Sequence, residues 1–309
     1  MGGLWQRRAV RQMVYGLTPL LVIGVAMAVT LAVWFGQTTA ATRLATASTQ
    51  ATVVASGLGA DRHEIDLRWT DHRAVSHTSR LHFPRSGEVA TGTTVRLHYD
   101  PADSSRVFVA GDETSTRLTD LLNGIAVVLV LMVAATVTTV VRILRRRSAE
   151  RRPTANRRLA VSHSRRGLTT RTWLTEQEDG HTWWLPVYWD PALDAVDPKR
   201  SYPVHGAPEH RSLRVVEIDG TPIWPAGRRR LRAPRGEVVD AAAPQTGEPR
   251  HISLRRHVRG DLGLVFTAPL LSLLWAYMDG SGASGFWFGT AVLAGVLFWI
   301  PSVYASDPT

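Results

Sequence analysis

Four long stretches of the chain are apolar and contain no charged residue. They cover residues 14–35, 121–141, 262–278 and 286–305. A helix needs about 20 apolar residues to cross the hydrocarbon core of a bilayer. A buried helix of a soluble domain is the alternative interpretation, and it fits best for the third stretch, which is the shortest and contains Pro269. The four stretches predict four transmembrane helices and place the chain among integral membrane proteins.

The arginines are distributed unevenly between the segments that connect these stretches. Residues 36–119 contain nine basic and nine acidic residues, whereas residues 142–260 contain 24 basic and 13 acidic residues. Basic residues accumulate in the cytoplasmic loops of membrane proteins. We therefore expect a cell-membrane protein with two sides, in which residues 1–13, 142–260 and 306–309 are cytoplasmic, and residues 36–120 and the short turn 279–285 lie outside.

This topology also explains most of the formal net charge of +10. The charge is therefore weak support for nucleic-acid binding, and we expect no nucleic-acid partner. The first apolar stretch follows basic residues and precedes Ala45-Thr46-Ala47, as a cleaved signal peptide would. It is longer than the usual apolar region of a signal peptide, so a retained signal anchor is favoured.

The outer segment has the pattern of short β-strands. Apolar and polar residues alternate in short runs that begin near His63, Leu81, Val95 and Val107. Alternation with a period of two predicts strands with one buried face. We expect a small antiparallel sheet or open barrel, preceded by a polar linker at residues 38–49.

Several of these runs resemble a known family. The residues that carry the resemblance are ATVVAS, HEIDLRWTD, LHF and VATGTTVRLHYDPADSSRVFV, within roughly Thr52 to Ala110. They are similar to the bacterial membrane-protein family named domain of unknown function 3592, above all at the turn Tyr99-Asp100-Pro101. Ser104 and Ser105 stand where that family often has a second proline. The resemblance implies a small extracytoplasmic β module between hydrophobic helices, and it implies no activity.

Residues 168–232 predict a second, tryptophan-rich β module. The turn signals Asp179-Gly180 and Asp219-Gly220 separate strand-like runs, two of which are residues 201–205 and 212–218. Aspartate followed by glycine favours a tight hairpin turn. The order of strands and turns is loosely similar to that of the outer module, so an internal duplication is an alternative interpretation. The predicted fold class is thus an α+β membrane protein with four transmembrane helices, a small extracytoplasmic β module and a small cytoplasmic β module.

Basic residues flank this second module. Residues 142–166 form a basic juxtamembrane stretch, residues 228–235 form a second basic cluster, and residues 237–250 read as a flexible linker. Arginine near a bilayer surface is attracted to anionic lipid headgroups, although the first stretch has the simpler interpretation of a topology signal. The arginines that we predict to contact lipid are Arg145, Arg146, Arg147, Arg151, Arg152, Arg228, Arg229 and Arg230.

Five tryptophans lie in the second module, at positions 173, 183, 184, 189 and 224. They could form a ligand platform, but a small barrel without disulfides also needs large aromatic side chains for its core. Because successive residues of a strand face opposite sides, we expect at least one of Trp183 and Trp184 to be exposed or at an interface. We favour core and interface roles, and we predict Trp183, Trp184 and Trp189 as candidates for binding a partner.

Neither the motifs nor the residue types predict a catalytic site, a cofactor or a metal. The chain contains no cysteine, and it lacks the glycine-rich, zinc-protease and nucleophile-elbow motifs. The outer histidines could form a metal site, but His77 and His82 have opposite parity on a strand, so ordinary surface roles are favoured. No ionisable residue lies in the apolar stretches, which disfavours a pump or an ion-coupled transporter.

We therefore expect a non-enzymatic membrane protein that senses, binds or scaffolds at the bacterial cell envelope, with anionic lipid and an unidentified protein as partners. Small-residue spacings such as Gly24/Ala28, Gly285/Gly289 and Ala291/Gly295 favour close helix packing or a homo-oligomer. One alternative is an accessory subunit of a larger membrane complex. Another is an envelope hydrolase that uses Asp61, Glu64, Asp66 or a histidine.

Overall fold

Two antiparallel sheets and four apolar helices form the part of the chain that the computed structural model describes. That part comprises residues 3–60, 62–83, 89–166, 169–206, 213–240 and 262–305. The predicted α+β fold class is confirmed at this level. The helices are α1 (Arg8–Arg43), α2 (Glu113–Glu150), α3 (Ala268–Asp279) and α4 (Gly282–Tyr304).

All four helices belong to segments long and apolar enough to cross a bilayer. Within the described residues these segments are Arg8–Ala40, Glu113–Glu150, Leu262–Asp279 and Gly282–Tyr304. Many of their large apolar side chains point outward; Val130, Leu270 and Trp287, for example, are 66%, 70% and 68% exposed. Such a surface is unfavourable in water and suits contact with lipid. The prediction of four apolar helices is confirmed.

Helix α1 is longer than its apolar stretch, so the polar linker predicted at residues 38–49 is wrong. Residues up to Arg43 are helical, and a strand begins at Ala47. The threonine hydroxyls find partners inside the helix, since Thr38 donates to the Trp34 carbonyl at 2.9 Å and Thr39 to the Phe35 carbonyl at 2.7 Å. A helix tolerates threonines whose hydroxyl groups donate to carbonyl groups of the preceding turn.

Glycines allow the helices to approach one another closely. A Cβ atom added at Gly295 of α4 would lie 3.2 Å from the Leu20 Cα atom of α1. A Cβ atom at Gly289 would lie 2.6 Å from the Ser272 Oγ atom of α3. The predicted small-residue spacings therefore include positions that pack helices of the same chain together.

The first sheet has five strands in the order β3-β2-β1-β4-β5. The strands are β1 (Ala47–Leu58), β2 (Glu64–Thr70), β3 (Ser76–His82), β4 (Thr94–Asp100) and β5 (Asp103–Val109). Trp69, Leu67 and Leu97 lie at the centre of its core. Strands β2 to β5 occupy the predicted runs, whereas the central strand β1 was not predicted.

The second sheet contains seven strands, in the order β11-β10-β9-β6-β7-β8 with β12 paired to β6. The strands are β6 (Thr154–Arg166), β7 (Thr169–Glu178), β8 (His181–Val187), β9 (Ser201–His205), β10 (Val215–Ile218), β11 (Thr221–Ile223) and β12 (Glu237–Asp240). The two sheets thus differ in strand order, which gives no topological support to an internal duplication.

The segment after β11 closes the second sheet into a barrel. The Trp184 amide of β8 donates to the Arg230 carbonyl at 2.8 Å, and the Arg230 amide donates back to the Trp184 carbonyl at 3.0 Å. Further along, the Ala226 amide donates to the Pro186 carbonyl at 2.7 Å. Because β8 and β11 are the two ends of the strand order, these bonds join the edge of β8 to the segment that continues from β11.

The two predicted hairpin turns of the barrel are confirmed. Asp179 and Gly180 have φ angles of 53° and 73°, and Asp219 and Gly220 have φ angles of 45° and 79°. Left-handed backbone at both central positions defines the type I′ turn, which matches the twist of the flanking strands.

The limits predicted for the inner module need correction. The barrel begins at Thr154 instead of residue 168, so the basic stretch 142–166 is divided between the end of α2 and β6. Residues Glu237–Asp240 of the predicted linker form β12, which pairs with Ser162 to Arg165. Residues 241–261 and 306–309 lie outside the described residues, as does Asp61.

Candidate functional site

The barrel is attached to three helix ends through a shared apolar core. Ala9, Val10 and Met13 at the start of α1 pack with Ala149 near the end of α2 and with Ala305, which follows α4. The barrel contributes Tyr188, Val215 and Trp224 to this cluster. The start of α1 and the ends of α2 and α4 therefore meet at the barrel.

Arginine and tyrosine side chains bind a carbonyl group at the buried C-terminal end of α4. The last carbonyl groups of a helix lack partners within the helix. The Val303 carbonyl accepts a 2.6 Å hydrogen bond from Arg142 of α2 and a 3.2 Å hydrogen bond from the Tyr188 hydroxyl of the barrel. The C-terminal end of α4 is thus bound by both α2 and the barrel.

Arg146 lies at the centre of this attachment. Its Nε atom donates to the Pro225 carbonyl at 2.6 Å, and its Nη2 atom donates to the Ala226 carbonyl at 3.2 Å. The side chain lies beside the Tyr188 ring, and the residue is only 3% exposed. Arg146 therefore binds the barrel and cannot contact lipid headgroups, which corrects the prediction for this residue.

Two arginines at the start of α1 extend the attachment. Arg7 forms an ion pair with Glu150 at the end of α2. Glu150 also accepts a 2.5 Å hydrogen bond from the Trp224 indole. The Arg8 guanidinium stacks over Trp189, 4.4 Å from the ring centroid. An arginine over an indole face gains a cation–π attraction that strengthens away from water.

These groups border a polar cleft of about 440 Å³ between the first residues of the chain and the barrel. Its other titratable residues include His205 and Glu217, which are 3.2 Å apart. The carboxylates Glu150 and Glu217 thus each face a basic partner. These contacts make the cleft part of the attachment between the start of the chain and the barrel.

A network of three arginines and two glutamates lies in the barrel. Arg214 contacts Glu176 at 2.7 Å, and Arg229 contacts Glu178 at 2.5 Å. Arg157 contacts both carboxylates, at 3.3 and 2.8 Å. Burial raises the pKa of Glu178, but the hydrogen bond and the charge of Arg229, with help from Arg214 and Arg157, outweigh burial and lower it.

Arg229 is buried within this network, so the prediction that it contacts lipid is also corrected. Its side chain is 2% exposed, and its guanidinium stacks 4.2 Å from the Trp183 ring centroid. A buried cation needs a fixed counter-charge, because the interior cannot replace the water that it loses. Glu176 and Glu178 provide that counter-charge.

The three tryptophans predicted as partner-binding residues have different environments. Trp183 and Trp189 are buried at 8% and 5% exposure, so neither can meet a partner directly. Trp189 belongs to the barrel core. Trp184 points to the opposite face from Trp183, as the strand parity predicts, and it is partly exposed. Trp184 is therefore the remaining candidate of the three.

The other predicted lipid-contacting arginines are exposed. They are Arg145, Arg147, Arg151, Arg152, Arg228 and Arg230. Three of them, Arg145, Arg152 and Arg228, line a cleft of about 510 Å³ beside the end of α2. Arg230 lines a different cleft of about 540 Å³, with Arg171, Arg232 and Arg235. Basic residues thus flank the attachment in two clefts.

Only some of the arginines that line the second of these clefts are close together in the sequence. Arg230, Arg232 and Arg235 stand in one basic run, but Arg171 is far from them in the chain. It joins them because β7, which carries Arg171, is paired to β8, and β8 in turn is paired to the segment that carries Arg230. Only barrel closure brings the four residues together.

Acidic residues of the first sheet are engaged by neighbouring groups. Arg80 contacts Asp66 at 2.8 Å and Glu64 at 3.6 Å. The Arg80 hydrogen bond lowers the pKa of Asp66. The Asp71 carboxylate accepts from the Val75 amide and lies 3.1 Å from the His77 ring, and these contacts lower the pKa of Asp71. Among the described residues, no group of three acidic or histidine side chains could hold a metal.

No protein-family model matches this chain, and no curated protein or solved structure matches it either. The resemblance to the family of unknown function therefore stays a prediction. The arginine-rich surroundings of the barrel attachment are the candidate functional site.

Proposed function

We propose that this chain is a multi-pass membrane protein that acts by binding and scaffolding at the cell envelope. The barrel and both chain ends are cytoplasmic in this proposal, and the five-stranded sheet is outside. The excess of arginine in residues 142–260 supports this orientation. The meeting of three helix ends at the barrel agrees with it, since α1 starts where α2 and α4 end.

The attachment of the barrel to the helices is the observation that carries the scaffolding role. Arg146 and Tyr188 join the barrel to α2 and α4 through hydrogen bonds from buried side chains. A shift of one helix end against the barrel would break these bonds and leave buried polar groups without partners, which is costly. A displacement of the helix ends is therefore transmitted to the barrel.

The absence of cysteine allows a direct test of the orientation. Single cysteines at Ser105 in β5 and at Thr221 in β11 would each be the only thiol, and both residues are exposed. In intact cells, a membrane-impermeant maleimide should label the Ser105→Cys protein and spare the Thr221→Cys protein. After permeabilisation both should react. Equal labelling of the two variants in intact cells would refute the two-sided topology.

Trp184 supports a second candidate function, that of an accessory subunit in a larger complex. An aromatic residue at a surface is a frequent anchor in protein interfaces. A photo-crosslinking amino acid at position 184 should give a reproducible crosslinked product in cells, and the same group at the exposed residue Ser201 should not. Mass spectrometry of the product would distinguish a second copy of this chain from another protein. Equal products from the two positions would count against Trp184 as the contact.

A further inference from the structure

The cleft lined by Arg171, Arg230, Arg232 and Arg235 has an excess of positive charge. It has a volume of about 540 Å³, and none of the described residues that line it is acidic. The arginines of the barrel network are each paired with glutamate, but Arg230, Arg232 and Arg235 form no ion pair within the described part of the chain. The guanidinium groups of Arg230, Arg232 and Arg235 around one space attract an anion.

The cleft is also held in a defined shape. The Arg230 backbone is bonded in both directions to Trp184, and its guanidinium stacks 4.3 Å from the Trp173 ring centroid. Trp173 is fixed in turn, because its indole donates to the Ser164 hydroxyl at 2.8 Å. A site that is already ordered loses less entropy when it binds a ligand.

Burial and like charge act together on Arg230. Partial burial lowers the pKa of Arg230, and the neighbouring charges of Arg171, Arg232 and Arg235 lower it further. Arginine stays protonated in spite of such shifts. The like charges in the cleft therefore repel one another, and a bound anion would relieve this repulsion.

The position of the cleft indicates the source of the anion. The Arg171 guanidinium lies 5.2 Å from the ring centroid of Tyr304, the last residue of α4. An aromatic residue at the end of a membrane-spanning helix lies at the level of the lipid headgroups. The cleft therefore opens at the depth where lipid phosphates are concentrated.

We propose that this cleft binds the phosphate of an anionic glycerophospholipid in the adjacent leaflet. The proposal rests on the proposed membrane placement, and it assigns one built site where the sequence predicted only diffuse contact. The planar forks of arginine can bind phosphate oxygens in pairs. Arg232 and Arg235 are exposed at the rim, where they can be changed without disturbing the barrel core.

The test uses the full-length protein in nanodiscs of phosphatidylcholine with increasing phosphatidylglycerol, and native mass spectrometry measures the bound phosphatidylglycerol. Each arginine near a bilayer surface contributes about fivefold in affinity, so the Arg232→Gln/Arg235→Gln protein should bind phosphatidylglycerol about 25-fold more weakly. The matched control is Arg158→Gln/Arg200→Gln, which removes the same charge from exposed residues that line none of the three clefts. The control should bind like the wild type.

Two results would overturn the proposal. An equal loss in the control would show that only the overall charge matters. Displacement of the lipid by inorganic phosphate at matched concentration would assign the cleft to a soluble phosphate. If the glutamine variant does not fold, the Arg232→Lys/Arg235→Lys protein replaces it, because lysine keeps the charge but lacks the planar fork of arginine. This protein should lose less affinity for phosphatidylglycerol than the glutamine variant would. If it binds phosphatidylglycerol like the wild type, paired recognition of phosphate oxygens is excluded.

The outcome is separable from that of the topology test. Nanodiscs expose both faces of the protein, so lipid binding does not depend on its orientation in the cell. Failure of the cysteine labelling would refute the orientation, whereas failure of the lipid titration would refute the site.

Discussion

Replacement of Glu176 by glutamine should lower the free energy of unfolding of the barrel by about 3–5 kcal/mol, the range seen when one member of a buried ion pair is removed. The side chains of Glu176, Arg214 and Arg229 are 7%, 5% and 2% exposed. Glutamine keeps the size of glutamate but leaves two buried cations facing a single carboxylate. The effect should be measured by urea titration, followed by the tryptophan fluorescence of the barrel in nanodiscs.

The matched control is the surface pair Arg200–Asp219, whose side chains are 62% and 53% exposed. Exposed pairs of this kind contribute about 0–1 kcal/mol, so Asp219→Asn should have a small effect. The double variant Glu176→Gln/Arg214→Met should recover part of the lost stability, because it removes a buried cation as well. A loss at Glu176 no larger than that at Asp219 would show that burial does not strengthen the network.

Replacement of Gly295 by leucine should push α4 away from α1 and weaken the packing of the two helices. The Cβ atom alone would lie 3.0 Å from the Leu20 Cδ1 atom and 3.2 Å from its Cα atom, and the backbone cannot move aside as a side chain can. Overpacking of a well-packed core costs about 1–3 kcal/mol and sometimes more. We expect the upper end of that range, seen as a lower melting temperature in nanodiscs and a lower yield of folded protein.

Gly36 provides the control for this substitution. It lies in α1, and a Cβ atom there would meet no atom within 4 Å. Leucine at position 36 should therefore leave the melting temperature unchanged or raise it slightly, since leucine favours a helix more than glycine does. Equal losses at both positions would indicate a general intolerance of leucine and would refute close packing at Gly295 as the cause.

The predicted strands illustrate what a local pattern can and cannot reveal. Strands β2 and β4 were predicted because large apolar residues alternate with polar ones along them. Strand β1 was missed, although it is central to its sheet. Its buried face includes the small residue Ala51, and irregular pairing between Val53 and Ala55 and between Ser56 and Leu58 interrupts the period of two. A bulge of this kind hides a strand from any test of alternation.

The arginines show the same limit for the candidate site. Arg145, Arg146 and Arg147 are adjacent in the sequence, but Arg146 alone of the three is buried. Its partners Pro225 and Ala226 are distant in the chain, so no local pattern distinguishes it from its neighbours. Arg228 and Arg229 differ in the same way, since only Arg229 faces the glutamates of the barrel.

By itself, the sequence determined the number of apolar helices, the alternating strands and the turns at Asp179-Gly180 and Asp219-Gly220. These features depend on residues that are close together in the chain, through helix length, strand period and the left-handed backbone that aspartate and glycine allow. Only the tertiary structure decided that the sheet closes into a barrel, that three helix ends meet against it, and which arginines stay exposed. Those outcomes depend on contacts between distant segments, where burial and pairing with a carboxylate or carbonyl determine the role of each charge.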